Sequence, residues 1–521
     1  MKKYLFKRIL FSIFSLIVVT GTVMLLVYSL MDRSLILIDD EGYKKRNGSD
    51  KIAYSYQRYE EFGYIYLEQF PSWLTTQKNL DPSSQEYKDA VAVVQNIDSE
   101  RDIPDNPYCQ EFAVTFNKAG YKVEWLQPFI NSKGVRTTSG YLVATKDKNV
   151  FTRLGEYFGR FFSIETPWTV DDPNLTDRYF RWEWDPYSNM PALVGSGSTH
   201  RYLIYFDDKF PFVHQNLFHI NLGRSKRYHI DTTEVLLSRT GDAYDTEKIL
   251  PADIYSENPQ KELSDLDFHT VTYSKTISDW DAETYGEGNH YINAQQQKDG
   301  FTRIGNSFII GMIATIGAYL LGLPIGIWMA RKKDKLPDKI GNLYIVFIIA
   351  VPSLAYIYMF AAIGMNLFNL PFKWQYAAVP ILGFILPTIS LMLPSVGGLM
   401  RWTRRFMIDQ ENADYVKFAR SQGLTEKEIF RKHIFRNAMI FLVHGIPGAI
   451  LGNLVGAIVT ERVYNVPGIG GLLTEAINHY DNGVIVAATV FYTAISILAL
   501  LLGDLLLAKY DPRVSFTNER G

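Results

Sequence analysis

Six stretches of the chain stay apolar for longer than the core of a globular domain requires: Ile9 to Leu30, Ser307 to Ala330, Leu343 to Leu367, Ala378 to Met400, Ala438 to Val459 and Val484 to Leu507. About 20 such residues let a helix cross the hydrocarbon layer, so each predicts a membrane span. The first follows Lys2, Lys3, Lys7 and Arg8, is longer than a signal-peptide core, and is followed by YSLMDRS, which lacks a small-residue cleavage site; it is expected to remain as an anchoring helix. Between the first and second stretches, from Arg33 to about Gly300, the period changes. Short alternations such as GYLVAT and RYLIYF predict strands, and YKDAVAVVQNI predicts an amphipathic helix. The expected fold is an all-α polytopic membrane bundle of six spans with a large inserted α+β domain. Its expected division is 1–32 for the N-terminal segment and first span, 33–300 for the insert, 301–513 for the five-helix core with its loop 401–437, and 514–521 for a tail.

Charge orients this arrangement. Residues 33–300 hold 29 Lys and Arg against 41 Asp and Glu, a net of −12, whereas the rest of the 521-residue chain holds 24 against 14, a net of +10. The connection Arg331 to Lys339 contains five basic residues and Arg401 to Arg436 contains nine; the connections on the other side contribute only Lys373 and Arg462. Cytoplasmic loops carry the excess of Lys and Arg. Both termini are therefore expected in the cytoplasm of a plasma-membrane protein, with the acidic insert extracellular. Cys109 is the only cysteine, which excludes an internal disulfide and favours a buried apolar role over a nucleophilic one.

Within the spans, prolines and glycines recur, among them Pro387, Pro394, Pro447, Gly322, Gly326, Gly397, Gly398, Gly452 and Gly456. They loosen or bend helices and let backbones approach, which suits a pathway lining as well as ordinary membrane packing. Pro387, Pro394, His444, Asn453 and Glu461 are the pathway candidates; Asp504, near the end of the last span, is expected to pair with a basic neighbour. In the insert, His214, His219 and His229 fit no helical metal pair, so no metal site is expected, and the many aromatic residues suit packing, with a peptide-stacking groove as the alternative. The chain has no G-x-x-x-x-G-K-[ST], no G-x-S-x-G and no H-E-x-x-H. No cofactor is expected on it, and any ATP and Mg²⁺ would be bound by partner subunits.

One polar segment stands out between the fourth and fifth stretches: DYVKFARSQGLTEKEIFRKHIFRN, Asp414 to Asn437. Tyr415 to Gln422 predicts a short helix, Gly423 supplies a left-handed stop, and Thr425 with Glu428 forms a capping box that opens a second helix. A helix-turn-helix at the inner mouth of a bundle is a surface on which another protein can pull.

These residues resemble the cytoplasmic loop of ABC importer permeases. Ala419 and Gly423 match the wider loop pattern, while Asp414, Tyr415, Val416, Ala419, Arg420, Gly423, Leu424, Arg436, Asn437 and Ala438 fit the oligopeptide and dipeptide branch of the OppB type. Glu461-Arg462-Val463-Tyr464 with Val466-Pro467-Gly468-Ile469-Gly470 resembles its E-x-V-F-x-x-P-G-x-G, Asp511-Pro512-Arg513 its D-P-R, and Asn221-Leu222-Gly223-Arg224-Ser225 its D-L-G-x-S with Asn in place of Asp. The usual P-G-D-P after the first span is absent. The large insert and FPFVHQN at Phe210 to Asn216 are similar to AmiC-like subunits of Gram-positive bacteria. The resemblance implies a type I ABC importer moving oligopeptides, with a second homologous permease, two cytoplasmic ABC ATPases, an extracellular peptide-binding lipoprotein, the lipid bilayer and no nucleic acid as partners. It assigns ATPase coupling to Asp414, Tyr415, Val416, Ala419, Arg420, Gly423, Leu424, Thr425 and Glu428, and makes docking of the peptide-delivering protein the expected task of the insert. A permease for dipeptides or another small solute, and a membrane-anchored sensor, are the alternatives; a sensor should carry a cytoplasmic effector domain, which this sequence does not contain.

Overall fold

The computed structural model describes residues 2–95, 103–128, 136–185, 188–206, 212–241, 248–249, 262–263, 268–286, 288–293 and 300–510. Asp511-Pro512-Arg513, the tail 514–521 and the first two residues of FPFVHQN lie outside them. The bundle consists of α1 (Lys2–Leu30), α2 (Arg303–Arg331), α3 (Leu336–Ala350), α4 (Ser353–Phe368), α5 (Pro380–Glu411), α6 (Asp414–Ser421), α7 (Glu426–Ile429), α8 (Arg436–His444), α9 (Ile446–Tyr464), α10 (Ile469–Asn478) and α11 (Asn482–Tyr510). Among the described residues five helices, α1, α2, α5, α9 and α11, are long and apolar enough to cross a membrane.

The expected third span, Leu343 to Leu367, is not one straight helix. It is broken into α3 and α4, between which the chain bends by 114°. Val351 has extended backbone, as a residue before proline prefers, and Pro352, which has no N–H, caps α4. Taken as one span, the bent pair brings the number to six. The fifth expected span is likewise shared between α8 and α9, with Gly445 and Pro447 at the join.

Close approach of α2 to α5 organises the bundle. Gly322 and Gly326 lie one turn apart on α2: a Cβ on Gly322 would meet the Val396 carbonyl oxygen at 2.9 Å, and one on Gly326 would meet Thr403 Cβ at 2.7 Å and the Met400 carbonyl oxygen at 2.9 Å. Lipid is as apolar as a helix surface, so contact of this kind, rather than expulsion of water, drives association. Asp338 at the start of α3 is buried and receives Arg404 of α5 through two hydrogen bonds, Nε to Oδ1 at 2.5 Å and Nη2 to Oδ2 at 2.8 Å. The α1 helix lies at the periphery against α11, and its Arg8 pairs with Asp504 at 2.6 Å, supplying the basic partner expected for that residue.

The insert folds around two main sheets. In the first, β1 (Ile65–Gln69), β3 (Tyr141–Asp147) and β2 (Lys122–Leu126) form an antiparallel sheet in the order β1-β3-β2. Phe70, Trp73, Leu74 and Phe112 pack against it together with Cys109, whose thiol burial pushes up to about 12, so the thiol is a core group. In the second, β5 (Tyr179–Asp185), β6 (Met190–Ser196), β7 (Tyr202–Phe206) and β8 (Val213–Gln215) form an antiparallel meander. A ribbon of β4 (Phe162–Ile164) and β9 (Phe218–Ile220) runs beside it. Burial works to raise the pKa of Glu165 just after β4, but hydrogen bonds from the His200 and His219 side chains and the His200 backbone outweigh it and hold the carboxyl down to about 2.

The insert is seated on the turn between α10 and α11. Ser225 Oγ donates to Asp481 Oδ2 at 2.5 Å, Asn482 Nδ2 donates to Tyr64 Oη at 2.9 Å, and Arg227 pairs with Glu475 at 2.5 Å. This accounts for the Asn221 to Ser225 segment. Leu222 enters the cluster of Ile469, Leu472 and Val484, a burial of about 1.5–3 kcal/mol, and Gly223 takes φ +97. The Asn221 side chain accepts from the Gly223 N–H at 2.8 Å, a turn that Asn closes as well as Asp does. Arg153 lies between Tyr28 of α1 and Tyr64, 3.9 Å from each ring centre.

If the α2–α5 approach carries the bundle, Gly326→Leu should prevent recovery of a monodisperse chain from membranes. Gly448→Ala, at a position where a Cβ meets nothing within 4 Å, should leave the size-exclusion profile unchanged.

Candidate functional site

The Asp414 to Asn437 segment forms a hook fixed beneath the bundle. The α6 helix ends at Ser421, Gly423 takes φ +80, and Thr425 and Glu428 complete the capping box in both directions. Arg420 spans the turn, its Nε 2.8 Å from Glu426 Oε1 and its Nη2 3.2 Å from Oε2. That guanidinium lowers the pKa of Glu426, and the Thr425 hydroxyl and backbone N–H lower that of Glu428. Val416, Ala419 and Ile429 face inward and pack with Ala330, Met407, Ile434 and Ala438. The Tyr415 hydroxyl, hydrogen-bonded to Gln410, accepts from Asn437 Nδ2 at 3.0 Å, so the two ends of the segment are tied together. The second helix of the hook is a single turn, α7. It passes into a π-helix, Phe430–Phe435, and from there into α8 without a loop.

The opposite face of α6 is free. Asp414, Lys417, Phe418 and Ser421 are exposed, and their spacing places them on one side of the helix. Phe418 is 63% exposed although it lies among charged residues.

Above the hook, α2, α5, α8 and α9 line an open cavity of about 530 Å³. Phe441 and Trp402 flank Phe406 in near-parallel stacks at its inner end. Deeper in the bundle, Asn453 joins three helices: its Nδ2 donates to Thr315 Oγ1 at 2.8 Å, and its Oδ1 accepts from Ser395 Oγ at 2.6 Å. All three residues line the cavity.

Aligned over 542 residues, the chain is 33% identical to the oligopeptide transport system permease protein AmiC of Streptococcus pneumoniae, with 100% of both chains covered. The chain belongs to the oligopeptide permease family. The model of the binding-protein-dependent transport system inner membrane component family matches residues 322–516. The dipeptide transport system permease protein DppB of Lactococcus lactis is 33% identical over 215 residues, 41% of this chain and 69% of that one. The oligopeptide transport system permease protein OppB of Mycobacterium tuberculosis is 27% identical over 229 residues, 41% and 70%. The AmiC alignment differs from these in including the insert.

Of the five pathway candidates in this permease, Asn453 alone lines the cavity among the described residues. Pro387 and Pro394 lie inside α5, and the lining begins with Ser395. His444 Nδ1 pairs with the Gly503 carbonyl at 2.8 Å, holding α8 to α11. Glu461, expected in the pathway, is buried and engaged elsewhere. Its Oε1 accepts from Ser307 Oγ at 2.6 Å and its Oε2 from the Gly471 N–H at 3.0 Å, while the Ile469 N–H donates to Ser307 Oγ at 2.9 Å. A Cβ on Gly468 would lie 2.3 Å from Glu461 Oε2. The Pro467 to Gly470 turn is glycine-rich because this carboxylate occupies the space a side chain would need. The sequence reading missed Thr315 and Ser395; as isolated hydroxyls in apolar stretches, they carried the same signal as Asn453.

Glu461→Ala leaves buried donors unpaired and should cost about 1–3 kcal/mol, seen as a lower Tm of the purified permease. Glu461→Gln, which keeps one acceptor, should lose less.

Proposed function

We propose that the permease is one half of the membrane pathway of an ATP-driven importer that moves oligopeptides across the plasma membrane. In this reading a second homologous permease completes the pathway, and two cytoplasmic ABC ATPases hydrolyse ATP, so the chain itself binds no nucleotide or other cofactor. An extracellular peptide-binding lipoprotein delivers cargo to the insert, whose surplus of acid steers a basic partner. The termini are cytoplasmic. The positive-inside pattern supports this side assignment: if the bent α3–α4 pair turned back without crossing, the nine basic residues of 401–436 would lie on the opposite face from the five of 331–339.

The observation that carries the coupling assignment is the two-faced α6 helix. One side is buried with Val416 and Ala419 against the bundle, and the other presents Phe418 to solvent. An exposed aromatic on a rigid helix suits insertion into a groove of a partner protein. ATPase closure would then push α6, and the unbroken run through α7 and α8 would pass that displacement to the cavity wall as a rigid-body shift.

Affinity purification of the tagged permease from its native membrane should recover two ATPase chains and a second permease. Phe418→Asp should lose the ATPases while retaining the second permease. Gly423→Val meets nothing within 4 Å, so its effect comes from forcing a β-branched residue to positive φ, a cost of roughly 1–2 kcal/mol. Peptide uptake is expected to be lost at an unchanged membrane level of the permease; uptake at the normal rate in Gly423→Val would refute the coupling assignment.

A further inference from the structure

Three side chains of the insert, distant in sequence, converge on one point. Glu165 follows β4, His219 lies in β9 opposite Ser163, and His200 sits in the turn between β6 and β7. The ladder places His219 Nε2 2.8 Å from Glu165 Oε1, and the β6–β7 turn places His200 Nδ1 2.7 Å from the same oxygen. The His200 backbone N–H donates to Oε2 at 3.0 Å, which fixes the carboxylate plane. The two imidazoles are nearly parallel, with ring centres 5.4 Å apart. Glu165 is only 4% exposed, whereas the side chains of His200 and His219 are 23% and 37% exposed.

From this geometry we infer a binding site for a divalent metal ion of the zinc type, formed by Glu165, His200 and His219. One donor atom from each residue lies within 4.8 Å of the others. Two imidazole nitrogens and one carboxylate oxygen are the donors that Zn²⁺ favours, and three protein ligands with a partly open side leave the fourth position to water. Lone pairs of the two rings cannot both face one carboxylate oxygen without an electropositive bridge, which the N–H of a neutral ring tautomer provides as well as a cation does. Either protons on both rings or a single cation supplies it. At Zn–ligand lengths of about 2.0–2.1 Å, tetrahedral donors lie roughly 3.3 Å apart, so loading requires each ring to withdraw by about half an ångström. His200 and His219 are the more exposed members and have room to move. A bound ion would staple the β4–β9 ribbon to the β6–β7 turn and so tie the ribbon to the four-stranded sheet.

The test is zinc titration of the full-length permease, purified in nanodiscs with a tag that contains no histidine and stripped of metal with chelator. Competition against a chromophoric chelator should give one ion per chain at micromolar affinity or tighter, and Zn²⁺ should raise the Tm reversibly. The exposed-side variant His219→Gln should weaken binding at least tenfold, Glu165→Gln likewise, and His214→Gln, whose ring stacks on Tyr205 outside the triad, should bind as the parent does. Co²⁺ loading should give the visible absorption of tetrahedral coordination in the parent and lose it in His219→Gln, a readout that does not depend on stability. Failure of the parent to bind zinc, or equal binding in His219→Gln, overturns the site and leaves a proton-bridged clasp.

Discussion

The approach of α2 to α5 at Gly322 and Gly326 is the contact on which the other features depend. It brings Met400 and Thr403 against the α2 backbone, which aligns the inner ends of both helices so that Ala330 and Met407 can form the floor under the hook. The same alignment places Thr315 of α2 and Ser395 of α5 within reach of Asn453. In a bilayer, dispersion between closely fitted backbones is the main source of such order, so two missing side chains contribute more than most of those present. Buried polar fastenings then act toward its two ends: Asp338 with Arg404 at one, Glu461 with Ser307 and the α10 turn at the other.

The insert does not hang from the two strands of chain that connect it. Asp481 and Asn482 lie at the N-terminus of α11 and also form the seat for Ser225 and Tyr64. The Arg153 guanidinium, held between Tyr28 and Tyr64, adds a second attachment at the top of α1, with each ring contact contributing about 0.5–2 kcal/mol. Since α10 is in turn held by the Glu461 clasp, the insert, α10, α11 and the C-terminal end of α9 form one connected body.

The sequence was most legible where local chemistry decides the structure. Apolar length located the spans, and the stop at Gly423 with the Thr425–Glu428 box defined the hook to within a residue at its helix ends. Where two elements compete, it was less legible. The Val351-Pro352 bend lies inside an apolar run, and window length alone cannot separate a straight span from two short helices. The π-turn at Phe430–Phe435 leaves no mark in composition, because the same residues would make an ordinary α-helix; its register is set by Ile429, Ile434 and Ala438 all reaching the same floor. Glu461 is a pathway candidate because a carboxylate in a membrane helix is costly, and only the fold shows that backbone N–H groups and a serine offset part of that cost. Glu165, His200 and His219 were beyond reach, since only the β4–β9 pairing together with the β6–β7 turn brings them to one point.

That π-turn also sets an angle. Each residue of an α-helix advances the chain by about 100°, and a π-turn fits an extra residue into one turn. The segment therefore works as a phase adjuster between hook and cavity. With α6 and α7 fixed to the floor, it determines which side of α8 carries Phe441 and Leu442 to the cavity. A one-residue change in its length would leave both the hook and the span intact as helices, yet turn the wrong face toward the space between them.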